Sequence, residues 1–271
     1  MNKQNLHTHT TYTDGRDTPE EMIQTAIERG FDAIGFSEHS PLSCSKNPKQ
    51  LFPERMRLYC EEVRHLKQKY AGQLDLFCGL EYDFCSDVDT QGLDYLIGSV
   101  HCLDCDGSVA SFDYSLTQTI EYVQRYFDGD GMRFAQKYFE TLARLPEKKN
   151  FDIVGHFDIL AKNNGKGRFF DTSDKRYLDM GYEAIHALRG KIPFFEVNTG
   201  AIARGYTDVP YPQMEFLQEL KRCGFGALIT SDCHDRTYLD CCFDEARALL
   251  TAAGFKSRWI LTDGGFCEVE V

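Results

Sequence analysis

Nowhere in the 271 residues does an apolar run approach the ~18 consecutive positions a membrane helix requires, so no helical membrane span and no membrane partner is expected. The first ten residues, MNKQNLHTHT, lack the apolar stretch of a secretion signal, and the chain is expected to be soluble and cytoplasmic. Basic residues are also in short supply. Thirty Lys and Arg against 42 Asp and Glu leave a net charge of −12, which argues against a protein that grips long nucleic acid by its phosphates. No internal repeat, low-complexity segment or linker interrupts the chain, so residues 1–271 are read as a single domain. The eleven cysteines are odd in number and scattered, which suits reduced thiols better than a disulfide framework.

What is present is an alternation of short apolar runs with amphipathic stretches. Strands are expected over 4–8, 33–37, 74–80, 95–100, 153–156, 194–198 and 227–231. The first intervening helix is well marked. Thr18 can cap it, Pro19 suits its first position, Glu21 can complete a capping box, and Gly30 stops it. Further helices are expected over 53–70, 116–127, 133–145, 174–188, 212–223 and 243–253, with 134–149 lengthening one connection. Residues 258–271 are rich in β-formers and predict a peripheral strand or hairpin. Strand then helix, seven times over, predicts an α/β protein with a parallel barrel or a doubly wound sheet.

The polar residues fall where these strands end. His7 and His9 close the first, Glu38 and His39 the second, Glu81 the third, His101 the fourth and His156 the fifth; Asp232 and His234 close the seventh. In a parallel barrel those ends share one face, where functional groups collect. Imidazoles and carboxylates are the ligands of zinc, iron or manganese at hydrolytic sites, and burying so many without cations would be expensive. His65, among basic residues on a helix, and His186, within another, read as ordinary surface or structural residues. Cys102-Leu103-Asp104-Cys105 could be a redox pair or a zinc half-site. A second matching pair is missing and the segment reads as a loop, so it is taken as structural, as is Cys241-Cys242.

The ordered set His7-Thr8-His9-Thr10, Ser37-Glu38-His39, Gly79-Leu80-Glu81, Gly98-Ser99-Val100-His101, Gly155-His156 and Ser231-Asp232-Cys233-His234 resembles the motifs of the polymerase and histidinol phosphatase (PHP) family. The resemblance implies a distorted seven-stranded (β/α)7 barrel with three divalent metal ions at the C-terminal ends of the strands. It implies that His7, His9, Glu81 and Asp232 hold the first ion, and that Glu81 bridges to a second held by His101 and His156. Asp14, His39 and His234 would hold the third; some relatives have histidine where this chain has Asp14.

Within the family, the stretches 155–162 and 196–200, with Gly15-Arg16-Asp17-Thr18, Arg204-Gly205 and Tyr211-Pro212, resemble the monofunctional histidinol-phosphate phosphatases. The departures are Cys102 and Cys105, where relatives tend to carry bulky aromatics, and the Cys241-Cys242 segment. The expected reaction is hydrolysis of L-histidinol phosphate to L-histidinol and phosphate. Its nucleophile would be a metal-bridging hydroxide held by Glu81, Asp232, His7 and His9. Arg204 is expected to clamp the phosphate bidentately and Lys162 to act as a point charge, with Arg168 a further candidate. Asp17 could receive the cationic half of the substrate, or support the first helix's N-terminus.

Three other readings compete. A different small phosphoester such as a nucleotide keeps the chemistry, and an amidohydrolase shares the opening His-x-His. A non-catalytic metal-binding regulator would close its sites with protein ligands, whereas about nine ligands shared among three ions leave positions open.

Overall fold

The computed structural model describes residues 2–42, 50–165 and 167–271. In chain order its strands are β1 (Gln4–Asn5), β2 (Ala33–His39), β3 (Asp75–Asp83), β4 (Tyr95–Ser99), β5 (Cys102–Cys105), β6 (Ser108–Ser111), β7 (Ile153–Val154), β8 (Phe194–Asn198), β9 (Gly226–Thr230), β10 (Ser257–Thr262) and β11 (Gly265–Glu270). Seven form one sheet in the order β1-β2-β3-β4-β7-β8-β9, parallel throughout. A parallel bridge between Thr8 and Cys233 brings the two edges together. His9 N donates to Cys233 O at 2.8 Å and Cys233 N to His7 O at 3.0 Å, so the result is a nearly closed barrel. This is the expected seven-stranded α/β barrel.

The helices form where the sequence placed them, within a residue or two. Thr18 Oγ1 accepts from Glu21 N while Glu21 Oε2 accepts from Thr18 N, a reciprocal capping box ahead of the helix Pro19–Glu28. Two expected strands are shorter than their apolar runs, β1 and β7, and the reason is chemical. Gly155 N still donates to Gly98 O at 2.9 Å, but at His7, Thr8 and His156 the backbone donors turn to buried side chains. His7 N donates to Asn5 Oδ1 at 3.0 Å, Thr8 N to Ser37 Oγ at 3.2 Å, and His156 N to Glu196 Oε1 at 2.7 Å. A buried N–H must find an acceptor, and a polar side chain serves as well as a strand. The segment expected as a loop around Cys102 is instead an antiparallel hairpin, β5 with β6. The expected helix over 133–145 begins earlier, as Gly131–Leu142 capped by Asp130, and yields to a 3-10 turn at Leu145–Glu147.

Two apolar layers hold the barrel. The larger lies between strands and helices, where Phe36, Leu80, Val154 and Val197 meet helix residues such as Met22, Tyr59, Phe139 and Phe216. The smaller fills the barrel's lower interior with Leu6, Ala33, Phe77, Tyr95, Ile97, Ile153, Phe194 and Leu228. The C-terminal hairpin β10–β11 closes that end. Leu261 joins the inner cluster, and Trp259 and Phe266 pack on Phe194 with ring centroids 5.0 and 4.5 Å away. Gln4 fastens the hairpin by exchanging bonds of 2.7 and 2.8 Å with the Leu261 backbone. With its floor sealed by apolar side chains, the barrel can admit solvent and ligand at its opposite end.

Tyr95 crosses the interior above this floor, and its hydroxyl donates to Leu6 O at 2.5 Å and Phe36 O at 3.1 Å. Its ring occupies space that only glycine leaves open: a Cβ on Gly79 would lie 2.3 Å from the ring, and one on Gly35 would lie 2.4 Å from the hydroxyl. Gly79→Ala is therefore expected to cost about 1–3 kcal/mol through overpacking. Urea unfolding of the variant beside the parent protein measures that loss, and an unchanged midpoint would contradict this account of the interior.

Candidate metal centre

The strand ends deliver their side chains to one buried cluster. Glu81, on β3, lies at its middle. Its Oε1 is 3.5 Å from His7 Nε2, 3.3 Å from His101 Nε2 and 2.8 Å from His156 Nε2. Its Oε2 is 3.6 Å from His9 Nε2 and 2.7 Å from His39 Nδ1. Asp232 Oδ1 approaches His7 Nε2 at 3.6 Å and His9 Nε2 at 3.2 Å. At the mouth, Asp14 Oδ1 lies 3.5 Å from His39 Nε2 and 3.3 Å from His234 Nε2. The His9 ring stacks between His39 and His234, with both centroid separations 4.2 Å.

These spacings can be tested against a cation. Ligand atoms about 2.1 Å from a tetrahedral ion stand roughly 3.4 Å apart along its coordination edges. The contacts of His7 and His9 with Glu81 and Asp232, at 3.2–3.6 Å, match that edge. His7 Nε2 and His9 Nε2 are moreover buried without a hydrogen-bond partner. Orphaned polar atoms are costly, and here they converge on shared space. Among the described residues five donor groups satisfy the geometry of metal ligation, and four of them lie in this cluster: His9, Asp14, His39 and His234; His7, His156 and Asp232; His7, His9 and Glu81; and His39, Glu81 and His101; the fifth, His186, Glu219 and Cys223, lies apart from it. The residues fit bound cations.

The electrostatics agree. Burial opposes ionisation of Glu81, yet His101, His39 and His7 hold its pKa well below the usual range. Burial likewise works against charge on Asp232 and is outweighed by Arg204 and His7. His9 goes the other way: burial, then His234 and His39, lowers it to about 3, which leaves a neutral imidazole fit for ligation. His101 is raised to about 10, since Glu81 and Asp83 outweigh its burial. Without cations, protons on such imidazoles balance the buried carboxylates.

All nine residues expected as ligands, His7, His9, Asp14, His39, Glu81, His101, His156, Asp232 and His234, thus lie in one cluster. Arg204 and Lys162 line the cleft above it. Arg204 is bound into the cluster, with Nη2 2.7 Å from Asp232 Oδ2 and Nη1 2.8 Å from Asp232 O. Lys162 Nζ lies 3.5 Å from Asp113 Oδ2 and 4.9 Å from the centre of the Tyr206 ring. Asp17 requires correction, because it does not line the cleft. Its carboxylate accepts from Arg236 N at 2.8 Å and pairs with the Arg236 side chain, tying the start of the first helix to the turn after His234. Arg168 is exposed and also lies outside the cleft lining. Among the cysteines, Cys102 is buried, and Cys105 Sγ contacts Tyr122 Oη at 3.4 Å. His186 sits 2.6 Å from Glu219 on a neighbouring helix, a partner its sequence surroundings did not disclose.

Three acidic residues lie behind the cluster; the sequence reading places Glu38 at a strand end and gives Glu196 and Asp83 no role. Glu196, fully buried, accepts at Oε2 from His7 Nδ1 at 2.8 Å and Thr230 Oγ1 at 2.8 Å, and at Oε1 from His156 N and Asn198 Nδ2. Asp83 accepts from His101 N at 2.6 Å. Glu38 accepts from Thr10 N at 2.8 Å and from Thr13 Oγ1, fixing the turn that carries Asp14. A signal existed for two. Asp83 stands two residues after Glu81, on the same face of the strand, and Glu196 interrupts the apolar run Phe194-Phe195-Glu196-Val197.

Comparison with known proteins decides the family. The PHP domain model matches residues 5–200. The chain belongs to the PHP family. Histidinol-phosphatase of Bacillus subtilis is 35% identical to this PHP chain over 262 residues, 86% of this chain and 94% of that protein. A Schizosaccharomyces pombe protein named probable histidinol-phosphatase is 25% identical over 268 residues, 90% and 84% of the two chains. The fold also matches that of histidinol phosphate phosphatase from Lactococcus lactis, solved with zinc, L-histidinol and phosphate. The TM-score is 0.73 at 20% identity, over 98% of this chain and 99% of that one.

In this PHP chain the hydrogen bond that His7 Nδ1 donates to Glu196 sets the tautomer and orientation of His7, leaving Nε2 to face the cluster. Glu196→Gln is expected to weaken metal retention about 10–100-fold. Competition with a graded chelator, followed by elemental analysis, reads this directly, and unchanged retention would remove Glu196 from that role.

Proposed function

We infer that this chain is a metal-dependent phosphomonoesterase that hydrolyses L-histidinol phosphate to L-histidinol and phosphate in histidine biosynthesis. The observation that carries the reading is the position of Glu81, a buried carboxylate shared by five imidazoles from four strand ends beneath a cleft lined by Arg204 and Lys162. Likeness to the Bacillus subtilis histidinol-phosphatase over 94% of its length supports the substrate. Three divalent cations, with zinc, iron and manganese all compatible with such N/O ligands, would be held by three sets of residues. His7, His9, Glu81 and Asp232 form one; Glu81, His101 and His156 the second; Asp14, His39 and His234 the third.

The chemistry such cations supply when bound is Lewis acidity, which neutralises phosphoryl oxygens and lowers the pKa of water. The chain's own contribution is placement. Arg204, held against Asp232 and His234, brings fixed positive charge to the cleft beside the cluster. Lys162 adds a second cation to the same cleft, so a phosphate dianion entering it meets both. The His9 ring, stacked between His39 and His234, keeps the donor atoms in register without relying on mobile loops. We read residues 1–271 as one such barrel. A cytoplasmic location accords with eleven cysteines that are odd in number and scattered along the sequence.

Phosphate release from L-histidinol phosphate, compared with sugar phosphates and nucleotides, tests the reading. The expected outcome is preference for L-histidinol phosphate, lost on exhaustive chelation and restored by a divalent cation; activity that survives metal removal would sink it. Arg204→Ala is expected to raise KM and lower kcat together, with kcat/KM falling roughly 100-fold. Steady-state kinetics of the variant check this, and unchanged constants would remove Arg204 from phosphate binding.

A further inference from the structure

The cleft above the cluster, about 260 Å³ in volume, is not uniformly cationic. Three carboxylates line it: Asp14, Asp113 and Asp232. Asp14 and Asp232 belong to metal-ligating groups, and Asp113 does not. Asp113 follows the β5–β6 hairpin, an excursion from the barrel that occupies the connection after β4. Its side chain is mostly buried, at 14% exposure. Ser111 Oγ donates to its Oδ1 at 3.1 Å, while Lys162 Nζ stands 3.5 Å from its Oδ2, a loose contact for an ion pair. An ionised carboxylate offers about four acceptor positions, so these two donors leave capacity for another cation. Leu42, Tyr114 and Ile159 supply apolar surface in the same lining.

Fixed positive charge at Arg204 and Lys162, a carboxylate at Asp113 and apolar surface among them make a dipolar cleft. A phosphate ester with a neutral leaving group would satisfy only the cationic part. We propose that Asp113 is a specificity-determining residue, accepting a hydrogen bond from the ammonium or imidazolium of a cationic leaving group and so selecting zwitterionic phosphomonoesters. The inference rests on the phosphatase reading above, and it places the acidic recognition group at Asp113 rather than at Asp17. It also gives the Lys162 contact a purpose. Lys162 holds the carboxylate in place at a distance that a substrate ammonium can better.

A minimal substrate pair tests this in the unmodified, metal-replete protein. The kcat/KM for 2-aminoethyl phosphate is expected to exceed that for ethyl phosphate by at least tenfold; equal values overturn the proposal. In Asp113→Asn, which keeps the shape and removes the charge, that ratio is expected to collapse towards one, chiefly through KM for the charged ester. Asp113→Glu should retain part of it. An equal fall on both esters would show that Asp113 serves only to neutralise Lys162. The two readings fail separately. Discrimination by charge without turnover of L-histidinol phosphate refutes the assigned substrate and leaves Asp113 in place. Turnover of L-histidinol phosphate with no charge discrimination refutes Asp113 alone.

Discussion

The structure depends on the burial of one carboxylate, that of Glu81, within reach of five imidazoles from four different strand ends. A lone ionised carboxylate at 1% exposure would be prohibitive in an apolar interior. Here every neighbour at its oxygens can carry or share positive charge, first as a proton and, when loaded, through a cation. That requirement ties β1, β2, β3, β4 and the segment after β7 to a common point. Loss of the central charge would leave several buried donors facing one another without a partner.

The same polar residues that build the cluster also close the barrel. The bridge joining its two edges runs through Thr8 and Cys233, each flanked by residues of the cluster, and its hydrogen bonds come from the backbones of His7, His9 and Cys233. Strand pairing ends early in β1 and β7 because Asn5, Ser37 and Glu196 capture the backbone donors of His7, Thr8 and His156. The barrel therefore changes character along its axis. Tyr95, Phe194 and their neighbours exclude water below, and carboxylates replace ladder acceptors above. Trp259 and Phe266 seal the lower end, so the C-terminal hairpin is part of the barrel's floor and no mere appendage.

Much of this was legible in residue order. The apolar runs and helix signals, such as the Thr18–Glu21 capping box, depend on neighbours only a few positions away, and they place the elements to within a few residues. Eight of the nine residues expected as ligands were legible because each closes a strand, whereas Asp14 was supplied only by the resemblance to the PHP motifs. The substrate end of the cleft was not legible. Asp17 looked suitable because it precedes a helix near the first ligands, but Arg236, more than two hundred residues on, claims it. Asp113 carried no local signal, since its importance arises from a hairpin folding over the barrel mouth.

By itself the sequence determined the alternation of strands and helices, which follows from local periodicity, and the imidazoles and carboxylates at the strand ends, whose ordered motifs resemble those of the PHP family. Tertiary structure alone decided which ligands meet, which acidic residues stand behind them and which carboxylate faces the cleft. Those relations join residues far apart in the chain, such as Glu81 with His156 and His7 with Glu196, and only closure of the barrel brings them within bonding distance.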